Sequence, residues 1–150
     1  MNLGEHIPTF SLEDNKGNWF NSDEFLYKKY FVLFFYPMDF TPTCTKEVCE
    51  FRDVNADFNA LDAIIIGING HSTSSHEKFY TKHQLNFPLL SDKGGKLTKR
   101  LGVKKTFGLI TPRETFVFNK RGMLIEHIVS NNATIHIEQS MEAIKKDQEN

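Results

Sequence analysis

The order of apolar and polar positions divides the chain into alternating strand-like and helix-like segments. Tyr30 to Tyr36 is an unbroken run of β-favouring apolar residues, the pattern of a strand buried on both faces, and Pro37 ends it. Ala63 to Ile68 repeats that pattern. Between them, from Thr43 to about Asn59, the residues Val48, Phe51, Val54 and Phe58 fall along one face of a helix. Thr41 followed by Pro42 predicts an N-cap with proline at the first helical position. A second helix is predicted from about Ser74 to His83, with Ser and Thr before it as caps and Phe79 facing inward.

The remaining elements are shorter. Phe10-Ser-Leu12 and Trp19-Phe20 form a hairpin across Asn15-Lys16-Gly17-Asn18, and Ser22-Asp-Glu starts a short helix. Phe87-Pro-Leu-Leu90 reads as an edge-like segment, and Leu97 to Leu101 as a brief helix ending at Gly102. Thr115 to Asn119 and Met123 to Val129 make a second hairpin across Lys120-Arg121-Gly122, before a last helix from about Thr134 to Lys146. Buried strands alternating with helices specify the α/β class, a central mixed sheet flanked by helices with an N-terminal hairpin. That arrangement suits a thioredoxin-like fold, which alone decides no function. No internal repeat, low-complexity segment or linker divides residues 1–150, so one domain is expected.

Composition agrees with a soluble globular domain, with 39% apolar and 25% charged residues. Fourteen Phe are a heavy aromatic load for the core. The net charge of -1, with basic residues dispersed, argues against nucleic-acid binding. The densest basic stretch (Lys96, Lys99, Arg100, Lys104 and Lys105) reads as the solvated face of a short helix and the turn after it. The longest apolar run, Phe31 to Met38, is far short of the ~20 residues that span a bilayer. With no signal-peptide pattern at the amino terminus, a cytoplasmic protein without a membrane role is expected. Two cysteines in such a setting are buried inert thiols, metal ligands or redox groups.

Chemistry collects where a buried strand gives way to a helix. Here that junction runs from Tyr36 through Asp39 and Thr41 to Cys44 and Cys49. Cys44 falls in the first helical turn, near unpaired backbone N–H groups and the positive end of the helix dipole. Such an environment favours thiolate, the nucleophilic form of cysteine. Glu47, one turn on, opposes it, so a nearby cation is required. Cys49, inside the helix, reads equally as a small buried hydrophobe or as a redox partner. In an intact helix, Cα atoms five residues apart are about 8.7 Å distant. A disulfide tolerates roughly 4.4–6.8 Å. If Cys44 and Cys49 bond to each other, the first turns must unwind.

Pro37-x-x-x-Thr41-x-x-Cys44, followed by Glu47, Cys49, Glu50, Phe51 and Arg52, resembles the peroxiredoxin family, specifically its bacterioferritin comigratory protein or Q-type branch. His76-Glu-Lys-Phe79, Phe87-Pro-Leu-Leu-Ser-Asp92, Leu101-Gly-Val103 and Arg113-Glu-Thr-Phe-Val117 support the resemblance over nearly the whole chain. It implies a thiol peroxidase that reduces hydrogen peroxide and organic hydroperoxides. Cys44 is then the peroxidatic cysteine, Thr41 a hydroxyl bonding peroxide and sulfur, and Pro37 a shield against water. Arg113 supplies the required cation, Glu47 orients it, and Cys49 is the resolving cysteine of an intramolecular disulfide. A thioredoxin-type dithiol reopens that disulfide, no cofactor or metal takes part, and the state is a monomer or weak dimer.

Two departures from the branch's pattern stand out. Thr43 replaces a frequent glycine and is expected to narrow the pocket. Ile68-Asn69-Gly70 replaces a frequent Ser-x-Asp, with no consequence evident from sequence. His71, His76 and His83 lack zinc-site spacing and read as surface or capping residues. Two competing readings are a thioredoxin-fold disulfide oxidoreductase, disfavoured because such enzymes use Cys-x-x-Cys, and a non-enzymatic carrier binding copper or zinc through Cys44 and Cys49.

Overall fold

The computed structural model describes residues 1–103 and 113–150, with the side chain of Thr43 also outside the description. The expected solvated position of Lys104 and Lys105, and the narrowing expected of Thr43, therefore lie outside the described residues. Strands β1 (Ser11–Asp14) and β2 (Trp19–Asn21) form the first hairpin, and a single 3-10 turn at Ser22–Glu24 follows. Next come β3 (Tyr30–Phe35), α1 (Pro42–Ala60), β4 (Ala63–Asn69) and α2 (Thr73–Lys82). The chain continues through β5 (Leu89–Ser91), α3 (Lys96–Arg100), β6 (Glu114–Phe118), β7 (Leu124–Val129) and α4 (Ala133–Gln148).

The strands form one mixed seven-stranded sheet in the order β2-β1-β5-β4-β3-β6-β7. Strands β3, β4 and β5 run parallel, and β6 is antiparallel to β3. Helix α1 is the crossover that parallel β3 and β4 require. One sequence expectation is corrected here. The Phe87–Leu90 segment yields a strand that lies inside the sheet, between β1 and β4, rather than at its edge. The physical reason is in its side chains, since Leu89 and Leu90 are each 0% exposed, on opposite faces.

Period-two alternation in β3 builds both halves of the core. Tyr30, Val32, Phe34 and Tyr36 meet Val48, Phe51 and Phe58 of α1, Phe79 of α2 and Ile144 of α4. Phe31, Leu33 and Phe35 pack on the other face with Leu97, Leu101, Phe116 and Phe118. Phe51 stacks on Phe34 at 4.5 Å between centroids, with 9° between the rings. Removing such a ring costs about 3–5 kcal/mol. Gly67 on β4 makes the arrangement possible, because a Cβ there would lie 2.9 Å from Leu89 Cδ2 and 3.0 Å from Phe34 Cζ. The sheet thus fixes α1 firmly, and α1 carries both cysteines.

Candidate active site around Cys44

Helix α1 begins as its sequence demands. Thr41 is extended (φ -81°, ψ 149°), Pro42 follows at the first helical position, and Cys44 N–H donates to Thr41 Oγ1 at 3.3 Å. This leaves the Thr41 hydroxyl hydrogen to be donated elsewhere, since the cap uses only an oxygen lone pair. Cys44 is 1% exposed, and Arg113 Nη2 donates to its sulfur at 3.3 Å. Arg113 reaches across from the start of β6, which pairs with β3 along its length. The cation required on sequence grounds is therefore present at the sulfur. Both cysteines are unbridged, and Cys49 is half-buried.

Pro37 is half-buried in the turn between β3 and α1, and Met38 and Phe40 of the same turn are each 45% exposed. Glu47 is enclosed, and its Oε1 has no hydrogen-bond partner. Burial pushes its carboxyl up to about 7; the Arg113 guanidinium works against that rise, while Glu50 adds to it. Glu47 thus meets Arg113 through charge, with no hydrogen bond or ion pair joining them among the described residues. A groove lined by Lys46, Glu50, Arg113, Asn132 and Thr134 opens beside the arginine.

The structure also gathers residues that sequence reading placed elsewhere. Asp39 is buried, and its carboxylate accepts from the Tyr36 hydroxyl at 2.7 Å, Asn69 Nδ2 at 3.4 Å, the Ser75 hydroxyl at 2.8 Å and His76 Nδ1 at 2.8 Å. His76 is 0% exposed, which corrects its reading as a surface or capping residue. A signal was available, because His76 lies three residues before the inward-facing Phe79 and so shares its helix face. His83 does follow the last residue of α2 at its cap, and His71 is half-buried, 3.5 Å from Asp39. Asn69 gives the Asn69-Gly70 departure a structural role as a donor to Asp39. No group of three or more metal-binding side chains occurs among the described residues.

The model of the AhpC/TSA family matches residues 3–127. The chain belongs to the AhpC/TSA family. Within it, the similarity is to the peroxiredoxin Q and Bcp branch. The chain is 39% identical over 148 residues to peroxiredoxin Bcp of Bacillus subtilis, covering 95% of this chain and 87% of that protein. It is 40% identical over 133 residues to the chloroplastic peroxiredoxin Q of Populus jackii, covering 88% of this chain. The matched region spans 61% of that poplar protein's length. The crystal structure of peroxidoxin BcpB from Mycobacterium tuberculosis superposes with a TM-score of 0.89 at 30% identity, over 97% of each chain. The thioredoxin-like peroxiredoxin fold and the oxidoreductase class of thiol-dependent peroxidase follow from these relatives.

Proposed function

We propose that Cys44 is the peroxidatic cysteine and that Cys49 resolves it. The observation that carries this reading is the guanidinium of Arg113 donating to the Cys44 sulfur at 3.3 Å, at the entrance of a capped helix. The Cys44 thiolate attacks the terminal oxygen of a hydroperoxide. An S–O bond forms, the O–O bond breaks, and the leaving oxygen takes a proton to depart as water or alcohol. Arg113 and the Thr41 hydroxyl are fixed donors for the charge that develops on those oxygens, the preorganised arrangement that lowers such barriers most. Pro37 keeps bulk water from the sulfur. Glu47 acts on Arg113 through its charge.

The sulfenic acid formed is the reversible rung of cysteine oxidation. The Cys49 sulfur displaces its oxygen as water and leaves an intramolecular disulfide. A dithiol of thioredoxin type then reopens that disulfide by exchange, becoming oxidised itself. Hydrogen peroxide and organic hydroperoxides are the substrates of this scheme. We read the protein as a monomer or weak dimer working in the cytoplasm. Among the described residues, no helix is long and apolar enough to cross a membrane.

Peroxide-dependent oxidation of a thioredoxin system should vanish in Cys44→Ser, and unchanged turnover in that variant would end the assignment. Cys49→Ser should still consume one equivalent of peroxide while losing thioredoxin-coupled turnover. Persistent coupling would move the resolving role to another thiol. Mass spectrometry after one equivalent of peroxide should find a Cys44–Cys49 peptide lacking the two thiol hydrogens.

A further inference from the structure

The turn that delivers Cys44 to α1 is held by polar contacts that the proposed chemistry does not use. Asp39 precedes the capping Thr41 by two residues, and its side chain is 0% exposed. Donors from three separate elements converge on it: Tyr36 at the end of β3, Asn69 at the end of β4, and Ser75 and His76 of α2. Phe40, between the anchor and the cap, is held at φ 66°, a left-handed conformation that costs a bulky residue about 1–3 kcal/mol. Such strain persists only where the surroundings fix the backbone on both sides. Here the carboxylate fixes one side and the helix cap the other.

The proton inventory of His76 is set by its neighbours. Nδ1 lies 2.8 Å from a carboxylate oxygen of Asp39, and Nε2 lies 3.2 Å from the carbonyl oxygen of Leu90. A backbone carbonyl only accepts, and so does an ionised carboxylate. A ring between two acceptors satisfies both when each nitrogen bears hydrogen. Around the pair stand the Tyr36 and Ser75 hydroxyls, the Asn69 amide and the His71 ring, whose Nδ1 is 3.5 Å from Asp39. The pair contacts neither Cys44 nor Arg113 by any hydrogen bond among the described residues.

We propose that Asp39 and His76 form a buried carboxylate–imidazolium pair that is the positioning device of the Cys44 site, fixing the strained turn that sets the Thr41 cap and the sulfur. This rests on the peroxidase reading of Cys44. Both residues act through Thr41 and Cys44, so they are positioning residues and not catalytic ones. The charge pair locks the near end of the turn, and the helix start beyond it is free to loosen when Cys49 approaches. Misplacing a reacting group by about 1 Å can cost 10²-fold in rate, so a slack turn lowers the rate of sulfur oxidation while the fold persists.

Two measurements test it. Nitrogen-15 NMR of His76 in the reduced protein at pH 7 should show both ring nitrogens bearing hydrogen; a neutral ring would overturn the ion pair. The second measurement compares Asp39→Asn, His76→Leu and the double variant with the wild type in stopped-flow oxidation of Cys44 by hydrogen peroxide. The double variant carries no unpaired buried charge and should recover the melting temperature that His76→Leu loses. Its oxidation rate should nevertheless stay about 10–100-fold low. Recovery of rate together with stability would make the pair structural only and overturn the positioning role. Failure of the wild type itself to react would instead sink the peroxidase reading, and the NMR result would be untouched by it.

Discussion

On one side of Cys44 the turn is tied to α2 through His76; on the other, the strand that begins beside Arg113 is tied to α4 through His136. Both rings are 0% exposed. His76 sits between a carboxylate and a carbonyl. His136 sits between the Ser130 carbonyl, 2.7 Å from Nε2, and the Thr115 hydroxyl, 2.7 Å from Nδ1. A hydroxyl can donate, so a neutral ring satisfies the second site and an imidazolium the first. Burial holds the His136 ring below its ordinary value, opposed by its hydrogen bond to Ser130 and reinforced by the charge of Arg113. At equal burial, the partner chemistry decides the charge. The cation beside the Cys44 sulfur then has a neutral neighbour behind it, and the turn opposite has a compensated pair.

The contrast is broken most sharply by deleting each ring. His76→Leu strands a buried carboxylate and should lose about 3–5 kcal/mol of unfolding free energy. His136→Leu leaves a neutral hydroxyl and carbonyl and should lose about 1–3 kcal/mol. Urea unfolding at pH 7 gives the order, and a reversed order would refute the charge assignment. Arg113→Met should slow peroxide reduction by about 10²–10³-fold, the usual effect of removing a preorganised donor. A loss smaller than about threefold in stopped-flow assays would remove Arg113 from the machinery.

Glu47 and His136 make stability depend on pH with opposite signs. Glu47 is raised from 4.5 to about 7, so the native state holds the extra proton between those values. Its contribution is favourable below 4.5 and is lost as pH rises through about 7. Glu47→Gln should therefore gain on the order of 3 kcal/mol relative to wild type between pH 4 and pH 8. A flat difference across that range in chemical denaturation would mean that Glu47 ionises in the native state as it does in the unfolded chain. His136 is lowered from 6.5, so its contribution is present above that value and is lost as pH falls below it. His136→Gln should flatten that acid-side fall. The smallest effect belongs to Tyr36→Phe, which removes one of several donors to Asp39 and should cost about 1 kcal/mol.

What the sequence disclosed followed from how local each signal is. Strands β3 and β4 were legible because burial on both faces writes an unbroken apolar run, and α1 because Thr41-Pro42 marks its start within two residues. The two hairpins carried their own turns. Position in the sheet is not a local property, so Leu89 and Leu90 were read as an edge although β1 covers them from far upstream. Cys44 at a helix start was legible from the local pattern, and its companions came from the family resemblance; Arg113 donates to its sulfur from 69 positions away. Asp39 and His76 escaped for the same reason as β5. Each polar residue looks solvated until the fold supplies a partner 37 positions away.

The stacked rings of Phe34 and Phe51 have a bearing on how far oxidation can disturb the molecule. Phe51 stands just past Cys49, so a helix fraying from Pro42 runs into a wedge there. Bond formation between the two sulfurs would then consume only the leading end of a 19-residue rod. In the proposed cycle the trailing turns would stay seated, and the interior would remain closed to water while the leading end unwinds.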